Sequence, residues 1–215
     1  MNRIEKLCSF LKPCKTFADV ACDHGYCTLY MLKNNLCSNA VISDISPKSL
    51  LKAQKLLSEY IENGRCRYVC CDGLEKIEGV DEVLIAGIGG EEIVKILKNA
   101  YIPETFVFQP MKNAETLRAY ILSNGCEITS DDMFTDGKNY YFLIAGKRAG
   151  VACNYSQSQL KYGKDSLKNP VFRNYLTAEI DKKKKYSENE MTYENRSRLL
   201  SDIAFMEGVL NGETD

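Results

Sequence analysis

The sequence contains a single histidine, His24, and its ten cysteines include no Cys-x-x-Cys pair. A structural zinc site needs Cys and His ligands at such spacings, so we expect no bound metal. We expect the cysteines to pack as reduced core residues in a reducing compartment. No apolar run approaches the roughly 18 residues of a membrane span, and the N-terminus lacks a signal peptide's apolar segment. These absences predict a cytoplasmic protein that does not associate with membranes.

Positive and negative charges nearly balance over the 215 residues, with a formal net charge of −1. Bulk charge therefore offers no support for nucleic-acid binding. The distribution is uneven, because residues 156–186 carry eight Lys or Arg against three Asp or Glu, and residues 187–215 carry two against seven. This division indicates either two helices that pair with each other or a basic face for an anionic partner.

Strand and helix patterns alternate through the first 150 residues. Five buried-strand patterns are followed by an antiparallel hairpin that turns at Asp136-Gly137. The predicted strands are residues 16–21, 40–45, 65–71, 82–86 and 105–109, then 126–134 and 139–147 in the hairpin. The succession predicts an α/β fold, and it matches the Rossmann-like, seven-stranded sheet of class I methyltransferases better than a dinucleotide-binding fold.

The pattern changes after Gly150. Four apolar residues near the C-terminus recur at spacings of four, three and four, which is typical of a coiled-coil seam between two helices. They are Leu199, Ile203, Met206 and Leu210. Ser187 and Glu190 have the spacing of a capping box, which predicts that the second helix begins there. We therefore expect two domains, residues 1–150 with the sheet and residues 151–215 as a helical hairpin.

Carboxylates stand at the ends of three predicted strands. Asp19 and Asp23 lie at the first strand end and in its loop, Asp44 ends the second strand and Asp72 follows the third. Because parallel strands end at one edge of a doubly wound sheet, these side chains would line a ligand site. Asp44 suits the hydroxyls of a ribose and Asp72 the exocyclic amine of adenine, with Ile45 beside the base. Single aspartates also cap helices and form turns, but the ordered set favours an adenosine-type ligand.

The first loop favours S-adenosylmethionine over a dinucleotide or ATP. It reads Ala21-Cys-Asp-His-Gly25, with one glycine where dinucleotide-binding loops have three, and its aspartate would repel a pyrophosphate. A Walker-type loop is absent as well. A cofactor with an ammonium and a sulfonium group tolerates nearby carboxylates. The predicted cofactor contacts are Asp19, Ala21, Cys22, Gly25, Asp44, Ile45, Asp72, Gly73 and Gly87.

Other residues near the strand ends each allow two interpretations. His24 can transfer a proton or simply hold the loop through hydrogen bonds. The glycines within residues 87–90 can make room for a flat base or form a tight turn between strand and helix. Gln109 and Pro110 can present an amide to a base edge or form a turn.

Several segments resemble the bacterial TrmK family. They are Asp19-Val-Ala-Cys-Asp-His-Gly-Tyr26, Ala86-Gly-Ile-Gly-Gly90, Phe108-Gln-Pro-Met111 with Leu117-Arg118, and Tyr140-Tyr-Phe. The resemblance extends over nearly the whole chain. It implies an enzyme that transfers a methyl group from S-adenosylmethionine to N1 of adenine 22 in the D-arm of tRNA. Such a transfer is an in-line displacement, which needs positioning but no metal or covalent enzyme intermediate.

The resemblance also implies roles for single residues. Asp23 is the expected catalytic residue, because its carboxylate would stabilise the cationic product base. The adenine must leave its stack before it reacts, and Tyr26 is either its stacking surface or a core aromatic. His24, Gln109 and Pro110 complete the expected contacts with the target nucleotide.

The C-terminal hairpin is expected to hold tRNA through its phosphates. Lys182 and Lys183, with the other basic residues of this region, would supply the charge, although a solvated lysine run is the alternative. We expect a monomer, while the hairpin leaves pairing with another copy open. Rival functions are methylation of a protein or small metabolite and RNA binding without turnover, and the first loop disfavours a nicotinamide oxidoreductase.

Overall fold

A computed structural model describes residues 2–150 and 153–212, and its centre is a seven-stranded sheet in the order β3-β2-β1-β4-β5-β7-β6. The strands are β1 (Cys14–Val20), β2 (Cys37–Asp44), β3 (Cys66–Cys70), β4 (Glu82–Ala86), β5 (Thr105–Gln109), β6 (Cys126–Asp136) and β7 (Asn139–Arg148). Strands β1 to β5 run parallel, and β7 runs antiparallel to both of its neighbours. The predicted Rossmann-like methyltransferase architecture is confirmed.

Helices pack against both faces of this sheet. The α-helices among the described residues are α1 (Arg3–Cys8), α2 (Tyr26–Lys33), α3 (Pro47–Leu56), α4 (Ser58–Glu62), α5 (Gly90–Asn99), α6 (Ala114–Ser123), α7 (Gln157–Tyr162), α8 (Pro170–Ser187) and α9 (Tyr193–Asn211). Successive residues of β1 point to opposite faces, so Phe17 packs with α1, α2 and α3 while Ala18 packs with α5 and α6. Each face thus has its own hydrophobic cluster.

Two helix boundaries differ from the sequence prediction. The apolar spacing from Leu50 to Ile61 predicts one helix after Pro47, but the structure divides it at Leu57, which is fully buried and leaves helical dihedral angles. The predicted capping box at Ser187 was wrong, because Ser187 is the last residue of α8 and its hydroxyl donates to a backbone carbonyl. Thr192 caps α9 instead and accepts the backbone N–H of Asn195.

The helical arm, defined as α8 and α9, has a hydrophobic seam of its own. Its buried residues are Phe172, Leu176, Ile180, Ile203, Met206 and Val209, and Met133 of β6 joins them. The predicted seam is therefore present, although Val209 rather than Leu210 is buried in it. The division into two domains after Gly150 stays a prediction.

A buried ion pair ties α6 to the segment that leads into the arm. The Arg118 guanidinium and the Asp131 carboxylate are 2.9 Å apart, with their side chains 0% and 1% exposed. Arg118 also donates to the backbone carbonyls of Leu160 and Lys161, at 3.0 and 3.2 Å. Asp165 accepts the backbone N–H of Asp131. These bonds fix α7 against the sheet.

Two further features concern the ranges 2–150 and 153–212. None of the helices there combines the length and the apolar character needed to cross a membrane. The ten cysteines are free thiols, and seven of them are buried. The burial of most of these cysteines matches the core packing expected from the sequence.

Candidate active site

A cavity of about 510 Å3, which we call the sheet-edge cavity, lies at the carboxyl ends of β1, β2 and β4. The strand order reverses between β1 and β4, and ligands of doubly wound sheets bind at such switch points. Nine of the predicted site residues line it, namely Asp19, Ala21, Cys22, Asp23, His24, Gly25, Tyr26, Asp44 and Gly87. The structure therefore brings most of the predicted site together.

The loop after β1 is held in an unusual backbone conformation. Ala21 and Gly25 have positive φ angles of 58° and 77°. The N–H of Cys22 donates to the carbonyl of Ser43 on β2, at 2.9 Å. A Cβ at Gly25 would lie 3.0 Å from Cδ1 of Leu57, so both the conformation and the space favour glycine there. The loop is thus fixed from both of its neighbours, β2 and α3.

Asp19 is a buried carboxylate at the base of the cavity. One of its oxygens accepts a 2.8 Å hydrogen bond from the Thr28 hydroxyl of α2. Burial raises the pKa of Asp19 to about 6, because water no longer solvates the ionised form. A cation bound nearby would favour ionisation, so this residue suits a positively charged ligand.

Asp44 stands at the end of β2, half-buried. Its Oδ1 accepts the N–H of Ser46 at 2.6 Å, and among the described residues its Oδ2 forms no hydrogen bond. Burial raises the pKa of this carboxyl, and the Ser46 N–H opposes that shift. Asp44 lines a cavity large enough for a nucleoside, and a carboxylate oxygen without a partner agrees with a role in holding ribose hydroxyls.

Asp23 is more exposed and has two charged or polar partners. Its Oδ1 is 2.8 Å from Nζ of Lys52 on α3, and its Oδ2 is 2.8 Å from Nδ1 of His24. The hydrogen bond from Lys52 lowers the pKa of the Asp23 carboxyl. The His24 ring stacks on the ring of Tyr26, with centroids 5.5 Å apart. Asp23 therefore stays ionised beside a stacked pair of rings, and Tyr26 is half exposed rather than a core residue.

Arg3 of α1 also lines the cavity, and the sequence reasoning missed it. Its Nε donates to the side-chain oxygen of Gln109 at 2.8 Å, and a Cβ at Gly87 would lie 2.9 Å from its Nη2. Within the described part of the chain, no carboxylate lies within 4 Å of this guanidinium. Gln109 is fully buried, so its amide orients Arg3. Arg3 is thus a half-buried cation available to a ligand anion.

Several predicted site residues lie outside the cavity. Ile45 follows Asp44 and is 70% exposed. The Asp72 carboxylate is 3.8 Å from Nζ of Lys95. Gly73 has a positive φ, and a Cβ there would meet Ile96 of α5 at 2.5 Å. These residues sit beside the cavity's β2 and β3 side without lining it. Pro110 is buried and lines a separate cavity.

Three of the four lysines of α8 pair with acidic residues of the arm itself. Lys182 lies 3.6 Å from Glu179 of its own helix, and Lys183 lies 3.0 Å from Asp202 of α9. Of the two interpretations of the uneven charge distribution, helix pairing or a basic face for an anionic partner, the structure shows that the two helices pair. Exposed ion pairs contribute little to stability, so phosphates can compete for these lysines.

Comparison with known proteins gives the same fold and a methyltransferase-domain family. A family model described as "Methyltransferase domain" matches residues 1–144. The structure of M. capricolum TrmK with S-adenosyl-homocysteine has a TM-score of 0.89 at 22% identity, covering 97% of this chain and 96% of that one. B. subtilis TrmK, an M1A22 tRNA methyltransferase, has a TM-score of 0.82 at 22% identity, covering 99% and 97%.

A sequence relative points the same way. A Mycoplasma pneumoniae protein, provisionally named a tRNA methyltransferase, is 29% identical over 147 residues, which are 66% of this chain and 67% of that protein. The matching family model extends over about two thirds of the chain and includes every element around the sheet-edge cavity. The chain therefore belongs to the methyltransferase-domain family.

Proposed function

We propose that this protein transfers a methyl group from S-adenosylmethionine to N1 of adenine 22 in the D-arm of tRNA. The observation that carries the proposal is the sheet-edge cavity, where three carboxylates and one unpaired guanidinium meet at the switch point of a methyltransferase fold. The TrmK structures support the substrate, since their likeness extends over the helical arm as well as the sheet.

The cavity residues fit the separate parts of the cofactor. The free oxygen of Asp44 would accept hydrogen bonds from the ribose hydroxyls. Arg3 would bind the carboxylate of the methionine part, and buried Asp19 would favour the cationic groups nearby. The backbone around Ala21, Cys22, Gly25 and Gly87 would approach the ligand closely. The adenine would extend towards Ile45, Asp72 and Gly73, at the side of the cavity where β2 and β3 end.

The protein's contribution to the chemistry is position and charge. When bound, S-adenosylmethionine supplies an electrophilic methyl group to the lone pair of N1. Asp23, ionised through its contact with Lys52, would stabilise the positive charge that the base gains. Tyr26 and His24 would present a stacked surface to the extruded adenine, while Gln109 and Pro110 support that side of the site.

The helical arm supplies the second contact with the substrate. Lys182 and Lys183 would exchange their acidic partners for tRNA phosphates, a contact without sequence preference. We assign residues 1–150 to methyl transfer and residues 151–215 to tRNA binding. We also propose a cytoplasmic monomer, in keeping with a substrate found in that compartment.

Methyl transfer to defined tRNAs tests this function. The protein is incubated with methyl-labelled S-adenosylmethionine and an unmodified tRNA, and the product is mapped at nucleotide resolution. We expect N1-methyladenosine at position 22 and no incorporation into a matched tRNA with guanine there. Folded, cofactor-binding protein that leaves adenine 22 unmethylated would contradict the proposal.

Asp23→Asn tests the catalytic assignment separately. The change removes the negative charge but keeps a hydrogen-bonding side chain, so kcat should fall roughly 10- to 100-fold while S-adenosyl-homocysteine affinity stays within about threefold. Single-turnover methylation and calorimetry measure the two quantities. Lys52→Met should show a smaller kcat decrease, because Asp23 then keeps its charge but loses its anchor. A normal kcat in Asp23→Asn would remove this residue from the mechanism.

A further inference from the structure

A second cavity, of about 350 Å3, lies between the loop after β5 and the C-terminal helices. We call it the arm cavity. Its walls come from residues 110–115, from the β6–β7 hairpin, and from α7 and α8. Small-molecule sites have volumes of roughly 300–1,000 Å3, so this cavity suits one small planar group.

Aromatic rings form much of the arm cavity. Tyr140, Phe142, Tyr162 and Tyr175 all line it. Tyr140 and Tyr175 have ring centroids 5.2 Å apart, and Phe142 meets Tyr175 edge-on at 6.4 Å. The Arg118 guanidinium lies 4.7 Å from the Phe142 centroid and holds that ring. Tyr140 is 38% exposed, so a base can stack on an aromatic surface that is already ordered.

Two polar groups of the arm cavity, the Tyr162 hydroxyl and the Lys112 ammonium, lack partners among the described residues. Tyr162 is 3% exposed, and its hydroxyl has no hydrogen-bond partner among the described residues. Lys112 is exposed and forms no ion pair within ranges 2–150 and 153–212. Lys161 lies 3.9 Å from Asp202, and Glu115 is the acidic residue of the lining.

The arm cavity and the sheet-edge cavity share a wall. The N–H of Met111 donates to the carbonyl of Ile88 at 2.8 Å, and the N–H of Gly90 donates to the carbonyl of Lys112 at 2.8 Å. Ile88 lines the sheet-edge cavity, whereas Met111 and Lys112 line the arm cavity. A Cβ at Gly90 would collide with the carbonyl of Asn113, so the two loops touch directly.

We propose that the arm cavity binds one unpaired nucleoside of the tRNA, a neighbour of the nucleotide that enters the sheet-edge cavity. Its base would stack against Tyr140, and its phosphate would lie near Lys112. Extruding a base for chemistry disrupts the local stack, so capture of a neighbouring base would hold the tRNA open. This inference rests on the proposed function, because it assigns a second subsite for the same substrate.

The test combines protein variants with tRNAs that each lack one base. Unmodified tRNA is prepared with a single abasic nucleotide at each position around adenine 22, and binding is measured with S-adenosyl-homocysteine present. We expect one abasic position other than 22 to weaken binding to the wild type about tenfold, because the stacking of one base on an aromatic side chain contributes roughly that factor to the affinity. Tyr140→Ala should bind intact tRNA about tenfold more weakly and should no longer respond to that abasic position.

Matched variants exclude general damage. Tyr140→Phe keeps the ring and should behave as the wild type. Tyr68→Ala removes another half-exposed tyrosine, on β3 at the opposite edge of the sheet, and should leave tRNA binding unchanged. Lys112→Ala should reduce the slope of log affinity against log salt concentration by the amount that corresponds to about one phosphate contact. S-adenosyl-homocysteine affinity should be the same in all of them, which verifies folding.

The outcomes separate this inference from the proposed function. The wild type could methylate adenine 22 while the loss of tRNA affinity at every abasic position simply adds to the loss caused by Tyr140→Ala. In that case the arm cavity does not bind a nucleoside. If Tyr140→Ala weakens binding to every tRNA equally, the residue shapes the arm and the inference is again overturned. If the wild type methylates no tRNA, the proposed function itself fails.

Discussion

The sheet-edge cavity and the helical arm use charge in opposite ways. In the cavity, burial raises the pKa values of Asp19 and Asp44, so their ionised forms are disfavoured in the empty site. In the arm, Lys183 and Asp202 meet at the surface, where the ammonium lowers the pKa of the carboxyl. The cavity therefore contains charged groups that a bound ligand would compensate, whereas the charges of the arm compensate each other. Charged groups without a compensating partner therefore indicate the site better than the local number of charges does.

The largest expected effect comes from breaking the ion pair that ties the sheet to the segment leading into the arm. Arg118→Met leaves the Asp131 carboxylate buried without its partner and should lower the free energy of unfolding by about 3–5 kcal/mol. Urea unfolding measures the loss, and hydrogen exchange should show the largest increase in α7. Arg148→Met, an exposed arginine, serves as the control with little change.

A double variant sharpens this prediction. Arg118→Met combined with Asp131→Leu replaces the pair by apolar side chains and should recover much of the stability, as buried pairs often allow. If the single Arg118→Met variant unfolds like the wild type, the ion pair does not hold the arm segment against the sheet.

The next effect concerns cofactor affinity. Asp44→Asn should weaken S-adenosyl-homocysteine binding about 10- to 100-fold, because a charged acceptor of ribose hydroxyls contributes roughly 1.5–3 kcal/mol. Isothermal titration calorimetry measures this change. Asp181→Asn removes an exposed carboxylate from the arm and should bind the ligand normally. Equal affinities in the two variants would erase the distinction drawn between cavity and arm.

Asp19→Asn should improve stability while harming binding. Because the folded-state pKa of Asp19 is raised to about 6, the folded protein takes up this proton before the unfolded chain does, and stability falls as the pH rises from about 4 to 6. The variant should be more stable than the wild type by on the order of 1–3 kcal/mol at pH 7.5, with no difference below about pH 4. Denaturant unfolding at both pH values measures it. A less stable variant at pH 7.5 would show that ionised Asp19 supports the fold.

The smallest effect is expected in the arm. Lys183→Ala removes one partly exposed ion pair, so stability should change by less than about 1 kcal/mol. Its tRNA affinity should fall at low salt and approach that of the wild type at high salt. A salt-independent loss of tRNA binding would instead point to a structural role for Lys183.

The strand ends could be located from the sequence because their rules are local. Buried runs bounded by turns predicted β4 and β5 with their observed limits, and parallel strands necessarily place Asp19 and Asp44 at one edge. Arg3 and Lys52 were missed because Arg3 reaches the cavity from α1 and Lys52 reaches Asp23 from α3. Tertiary packing decides which face of a helix meets a distant loop, and the spacing of residues in the sequence does not show it.

The C-terminal region shows a second kind of limit. Ser187 and Glu190 have a capping-box spacing, but Ser187 bonds backward within α8 and Thr192 begins α9. Ser156 and Gln159 have the same kind of spacing and do form a capping box, at the start of α7, which was not predicted. Several residues satisfy the local rule, and the tertiary contacts decide which of them is used.

The most direct test of the account is a crystal structure of the protein with S-adenosyl-homocysteine. We expect the nucleoside in the sheet-edge cavity, with both ribose hydroxyls within about 3.2 Å of the Asp44 carboxylate and the ligand carboxylate on Arg3. A ligand that binds elsewhere, or that leaves Asp44 and Arg3 without contacts, would contradict it.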